Sequence, residues 1–582
     1  MNNQLPRQPF NTIALSLSGG GYRAASFHLG LLTYLSCVHW KGLPLLERIR
    51  VISTVSGGTF TGVCYASSLA RNQSLNECYE KLYRFMAEVD LIREGLTKLS
   101  GYHDWKSVKG RSLINAFSLV YFDKLEKDNF SLLFENKTHL KEIIFNATEF
   151  SYGLPFRFQR CELKQEEYNY AFLGNRQVNM PPEAIGEIRL ADIIAASSCF
   201  PMGFEPINFP DDFRHDGSPV LNSLKESYHT DQWGNKCKFP VGLMDGGIVD
   251  NQGIDSVIWA EKRMKEYKGE MKKFISEDDK AIDLYIISDV ASPFMDAYVK
   301  TKEKPMKSWR NLNFKRFMWF GLVFLLAATA ATYFGFQAAS RFWIYFYGVL
   351  AAVLFMAGAG SIFLSRMFNW MMRIFKVPEF FIRRLGNFSN LKFGIYETLI
   401  KNRIDSIKSM VSEVFMKQIR RQEYGRVYNE AGWDTRLIMN AVYELTPQQT
   451  VYRNKEKKGI LSDELRNVSP ILMAAAEKAK SMGTTLWFTP DELKGEKENM
   501  LNTLIASGQF TACYNLLEYF EKVLWNTDHK LDYDAYPDTL KSQLKELYQK
   551  MLNDWKAFNA DPYWMVKAYQ QNTKSDLKIH EL

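Results

Sequence analysis

Along the first third of the chain, short apolar runs alternate with longer helical stretches. Thr12 to Leu17 is apolar and stops at Gly19-Gly20-Gly21, and a helical pattern covers Ala24 to Cys37. Ile49 to Thr54 is a second apolar run, ended by Ser56-Gly57-Gly58 and followed by a helical stretch to Leu69. Strand, glycine turn and helix, twice over, predict an α/β sheet with its functional groups at the strand carboxyl ends. Leu75 to Leu99 reads as helix, Pro155 to Arg160 and Tyr168 to Leu173 as strands, and Leu190 to Ser197 as helix. Then come a strand at Val241 to Met244, a helix at Ile254 to Tyr267 and a strand at Ile282 to Ser288. The C-terminal region is mostly helical, with two further strands expected at Arg436 to Tyr443 and Thr485 to Thr489, returning to the same sheet.

Two segments break this pattern. Phe317 to Ser340 and Phe342 to Ser365 carry no charged residue, and Arg341 is the only charge between them. A helix needs about 20 residues to cross a hydrocarbon core of roughly 30 Å. The pair therefore reads as a transmembrane hairpin, with buried helices of a soluble core as the alternative. Lys302, Lys304, Lys307, Arg310, Lys315 and Arg316 precede it, and Arg366, Arg373, Lys376, Arg383 and Arg384 follow. Basic flanks on both sides place both flanks in the cytoplasm. Gly348, Ala351, Ala352 and the Ala357-Gly358-Ala359-Gly360 run are small enough to let the two helices approach closely. Met367 to Leu385 mixes aromatic, apolar and basic residues, the pattern of a stretch lying on lipid headgroups.

Composition narrows the class. The 582 residues carry a formal charge of +8, compatible with an anionic lipid surface, and nucleic acid is not expected because no recognisable binding motif or basic tail is present. The seven cysteines are scattered without a C-x-x-C pair, so neither a disulfide framework nor a zinc site is indicated. The first residues lack the apolar run of a secretory signal. A reducing, cytoplasmic setting is expected for the N-terminal part, with no metal and no cofactor.

Three glycine-rich turns carry the candidate chemistry. Ser56-Gly57-Gly58 lies where a strand turns sharply into a helix, the placement of a nucleophile elbow. Thr54 stands where the elbow pattern has its first glycine. Ser18-Gly19-Gly20-Gly21-Tyr22-Arg23 follows the first strand, and its backbone N–H groups suit either a phosphate cradle or an oxyanion hole. The lysine of a P-loop is missing, which disfavours a nucleotide-binding protein. A serine needs a base. None of the eight histidines stands at an obvious strand end, and His28 falls within the first helix, where packing is expected. The strand Val241 to Met244 instead ends in Asp245-Gly246-Gly247, with Asp216-Gly217 as a rival that has no preceding strand.

In order, Gly19-Gly20-Gly21 with Arg23, strand–Ser56-Gly57-Gly58 and strand–Asp245-Gly246-Gly247 resemble the signature of the patatin-like phospholipases over the first 290 residues or so. Supporting blocks are Phe27-His28-Leu29-Gly30, Ala196-Ser197-Ser198-Cys199-Phe200-Pro201 and Ile248-Val249-Asp250-Asn251-Gln252. The resemblance implies a three-layer α/β sandwich around a mostly parallel sheet, and a Ser–Asp dyad that cleaves fatty acyl esters through an acyl-enzyme. Ser56 would be nucleophile and Asp245 base, with backbone donors at Gly19, Gly20, Gly21 and Gly57 forming the oxyanion hole. Arg23 would fix the glycine loop or bind lipid phosphate.

The expected organisation is a catalytic domain over residues 1–300, a hairpin region over 301–385 with spans at about 317–340 and 342–365, and a mostly helical region over 386–582. The expected partner is membrane phospholipid. The expected location is a membrane crossed twice, a bacterial inner membrane, with the catalytic part in the cytoplasm. The competing reading is a membrane scaffold that keeps the fold without the activity.

Overall fold

The computed structural model describes residues 8–101, 109–135, 138–161, 170–175, 182–224, 228–230, 236–238, 241–266, 282–290, 311–374, 392–429, 433, 435–495, 498–526 and 533–572. The chain divides into two compact units, Met1–Met295 with Val414–Leu582, and Asp296–Glu413.

The first unit is built on a nine-stranded sheet. The apolar runs of the N-terminal third become β1 (Ile13–Leu17) and β2 (Ile49–Val55), whose side chains are almost all buried. The remaining strands are β3 (Glu142–Glu149), β4 (Leu154–Cys161), β5 (Tyr170–Gly174), β6 (Ile207–Phe209), β7 (Val241–Asp245), β8 (Leu284–Asp289) and β9 (Leu437–Ala441). The order is β9-β8-β1-β2-β3-β7-β6, with β4 and β5 added beside β3. Neighbours from β9 to β3 are all parallel, as the repeated strand–turn–helix pattern requires.

β3 is the strand the sequence pattern hides. Its eight residues are all buried, yet Glu142, Asn146 and Glu149 interrupt the apolar alternation. Each is satisfied internally. Glu142 accepts from Arg263 and Gln159, Asn146 donates to Ser53 and the Thr54 carbonyl, and Glu149 accepts two backbone N–H groups of the following turn. Buried polar groups persist only when paired in this way.

The helices flanking the site are α1 (Gly21–Cys37), α2 (Gly57–Ala70), α3 (Leu75–Glu88), α4 (Leu91–Ser100), α5 (Leu190–Ser197) and α6 (Ile254–Glu266). The expected single helix from Leu75 to Leu99 is two, because Asp90 caps a new N-terminus by accepting from the Arg93 N–H. α1 is apolar on nearly every face, which marks a helix covered on both sides. One side meets the sheet. The other meets a helix of the C-terminal region described below.

In the second unit, α7 (Phe314–Gln337) and α8 (Arg341–Ile374) form the hairpin. They cross at two glycines: a Cβ on Gly321 would lie 3.0 Å from the Gly358 carbonyl oxygen, and one on Gly358 equally close to that of Gly321. Met367 to Ile374 continues α8, while Lys376, Arg383 and Arg384 fall outside the described residues, as do Lys302 to Arg310. Within the unit the apolar side chains stand outward, Leu326 70%, Phe336 87% and Tyr345 74% exposed. That is the opposite of buried core helices, and both helices are long and apolar enough to cross a membrane.

The C-terminal region of the first unit contributes α9 (Met416–Asn429), α10 (Met500–Tyr519) and α11 (Asp538–Ala560). β9 joins the sheet parallel to β8. α10 lies so close on α1 that a Cβ on Gly508 would sit 1.9 Å from the Phe27 carbonyl, and one on Gly30 2.0 Å from that of Ile505. One face of the sheet is therefore covered by α1, α2 and α10, and the other by α6 and α9, giving three layers. Thr485 to Thr489, expected as a strand, has no sheet partner among the described residues. Its Thr485 carbonyl accepts the Tyr22 N–H, and Leu486 and Phe488 are buried in the core without regular structure.

Candidate active site

β2 and β7 meet end to end on one edge of β3. β2 runs parallel along Glu142 to Asn146, and β7 runs antiparallel along Glu149 to Ala147, while β4 occupies the whole of the other edge. β7 thus enters from beyond the end of β2 and stops against it. This places Asp245 opposite Ala147, one step past the Val55–Asn146 pair, beside the first residue after β2. That residue is Ser56. Asp245 does reach Ser56, but along an antiparallel strand rather than at the carboxyl end of a parallel one.

Ser56 has φ 48° and ψ −119°, a conformation that side-chain-bearing residues rarely hold. The turn is fixed from several directions. The Ser56 N–H donates to Ser197 Oγ at 2.8 Å, and Ser197 Oγ in turn donates to the Asn146 carbonyl at 2.6 Å. Thr59 Oγ1 lies 2.8 Å from Ser197 Oγ and 3.0 Å from Thr54 Oγ1. Thr54, which replaces a glycine of the elbow pattern, fits because the helix presents Gly62 to it: a Cβ on Gly62 would lie 2.4 Å from Thr54 Cγ2.

Asp245 is 4% exposed. Burial lifts its pKa to about 6, offset in part by hydrogen bonds from the Ser56 hydroxyl and the Gly247 N–H. The latter is 2.7 Å from Oδ1. The Asp245 backbone is held by the Cys199 carbonyl and by the Thr148 hydroxyl. The Ser197–Cys199 block thereby ties the nucleophile turn to the carboxylate strand. In the sequence that block carries no sign of this role beyond its position at the end of a helix.

The glycine loop packs onto the elbow. A Cβ on Gly57 would lie 2.1 Å from the Gly21 carbonyl, and one on Gly19 3.0 Å from Ser56 Cβ. Gly20 and Gly21 have φ +143° and +59°, open to glycine alone without strain. The N–H groups of Gly20, Gly21 and Gly57 stand at helix starts and meet no acceptor among the described residues. Gly19 differs. Its N–H donates to the Asn251 carbonyl at 2.9 Å, which removes it from the expected donor set.

Arg23 donates to the Met482 carbonyl at 2.7 Å, so its guanidinium braces the segment that also covers Gly21 through Thr485. This contact is of the loop-fixing kind. His28 is fully buried between Ser288 Oγ and the Ser18 carbonyl, and burial lowers its pKa to about 4. It is a packed neutral imidazole. Asp216 lies exposed on a turn.

Residues 15–258 match the family model described as patatin-like phospholipase. Among solved structures, the human GIVD cytosolic phospholipase A2 is similar at 14% identity and a TM-score of 0.29, over 48% of this chain and 43% of that one. No curated protein matches the sequence.

Proposed function

On the premise that this chain carries a patatin-like phospholipase domain over residues 15–258, we propose that it is a membrane-anchored serine acyl hydrolase acting on lipid esters through Ser56 and Asp245. The observation that carries the proposal is the strained Ser56 with its hydroxyl on a buried carboxylate. Burial makes Asp245 a stronger base than an ordinary aspartate, while leaving it ionised at neutral pH. Ser56 Oγ attacks the ester carbonyl as Asp245 takes its proton. The N–H groups of Gly20, Gly21 and Gly57 receive the oxyanion, where each fixed donor is worth about 3–4 kcal/mol of barrier. Asp245 then gives the proton to the departing alcohol, leaving an acyl-Ser56 ester. It next deprotonates the water that hydrolyses that ester.

The outward apolar side chains of α7 and α8 support anchoring, and the basic flanks support a cytoplasmic catalytic unit. Membrane phospholipid is the substrate this arrangement favours, because an anchored enzyme meets it at high local concentration. The test is fatty acid release from phosphatidylglycerol/phosphatidylethanolamine vesicles by the reconstituted full chain. Wild type should release fatty acid and Ser56→Ala should not. Equal release by both would remove Ser56 from the reaction.

A further inference from the structure

β9 ends the sheet, and among the described residues no strand pairs with its outer edge. The Arg436 carbonyl accepts from Tyr285 and the Val442 N–H donates to Asp289, so the peptide groups at these even positions face β8. By the two-residue period of a strand, those of Leu437, Met439 and Ala441 face the other way. The Ala441 carbonyl is taken by the Glu444 N–H. The N–H groups of Leu437, Met439 and Ala441 and the carbonyls of Leu437 and Met439 meet no partner among the described residues. A cavity of ≈ 410 Å³ runs along this edge, walled by α9 on one side and by α10 and its continuation through Lys522 on the other. Tyr428 on that wall is 61% exposed.

The walls are electropositive. Of the carboxylates on the lining, Glu444 is paired with Arg453 and Glu518 with Lys457. Arg421 and Lys522 also face the cavity and have no ion pair among the described residues.

We propose that this edge receives an extended acidic peptide segment of a partner protein, which adds a tenth strand to the sheet beside β9. The edge offers donors and acceptors in alternation, which another strand satisfies completely and a small anion satisfies only in part. Arg421 and Lys522 select carboxylates on the incoming side chains. A second copy of this chain is disfavoured because its own β9 edge brings the same cations. The site is independent of the Ser56 chemistry.

The test uses the full chain in lipid nanodiscs and a fluorescein-labelled decapeptide alternating valine and glutamate, read by anisotropy. Saturable binding is expected, at least tenfold tighter than for the valine/lysine decapeptide or for a version methylated at every peptide nitrogen. Met439→Pro removes an outward N–H without touching the β8 ladder and should weaken binding at least tenfold. The surface pair Arg421→Glu with Lys522→Glu should do the same with ester hydrolysis unchanged, and serves alone if the proline variant does not fold. Equal binding of the methylated peptide would reduce the site to a charged surface and overturn the proposal. So would displacement by equimolar tripolyphosphate, or dimerisation of the free chain that Met439→Pro abolishes.

Discussion

Replacing Asp245 by asparagine should make the protein more stable and nearly inactive, and the gain should depend on pH in a defined direction. The carboxyl is 4% exposed, and its pKa is about 6 against an ordinary value of 3.8. The folded state therefore binds a proton more readily than the unfolded one between these two values. Below 3.8 both states are protonated and burial carries no ionic penalty. As pH rises to 6 the unfolded chain ionises first, and stability falls. Above 6 the full penalty is present, about 3 kcal/mol from the gap between the two values. Asparagine retains an oxygen for the Gly247 N–H and carries no charge. Asp245→Asn should thus gain up to about 3 kcal/mol at pH 7.5 and almost nothing at pH 4. Urea unfolding of both proteins in the same detergent, followed by tryptophan fluorescence at pH 4, 5.5 and 7.5, measures the difference. A gain of equal size at every pH, or a loss at pH 7.5, would refute the reasoning.

The remaining expectations follow from the same contacts. Ser197→Ala strands the buried Ser56 N–H and Asn146 carbonyl, at about 1–3 kcal/mol for each orphaned group, and should lower both denaturation midpoint and kcat. Gly57→Ala drives a methyl against the Gly21 backbone at 2.1 Å, so kcat on a soluble ester should fall by ~10²–10³ while far-ultraviolet dichroism stays unchanged. Residues 317–365 lie wholly within a separate compact unit, so replacing them by a flexible linker should leave hydrolysis of a soluble short-chain ester intact while release from vesicles drops. Loss of both activities together would mean the hairpin serves the catalytic unit directly.

The legible part of the fold was the part built from local pattern. β1 with its glycine loop and β2 with its elbow are apolar runs cut off by glycine, and both lie as the pattern predicts. β9 is legible as a short apolar run without a glycine stop, and it returns to the sheet. β3 was not, because its buried Glu142, Asn146 and Glu149 are satisfied by residues distant in sequence. Without β3 the direction of β7 was unreadable, although its terminal Asp245 was singled out. Thr485 to Thr489 shows the converse error: Leu486, Trp487 and Phe488 are apolar because they pack over the glycine loop, not because they join a sheet. Gly19 looks like a free donor in the sequence because nothing nearby reveals that Asn251 takes its N–H.

The central claim is that Asp245 activates Ser56, and the pH dependence of covalent labelling tests it most directly. The full chain is treated with a fluorophosphonate probe from pH 4.5 to 8, and modification of the Ser56 peptide is followed by mass spectrometry. A base must be deprotonated to accept a proton, so the labelling rate should rise through a midpoint near pH 6 and level off above it. Asp245→Asn should label at least 100-fold more slowly on the plateau. Labelling at a different serine, or a rate at Ser56 that Asp245→Asn leaves unchanged, would contradict the account.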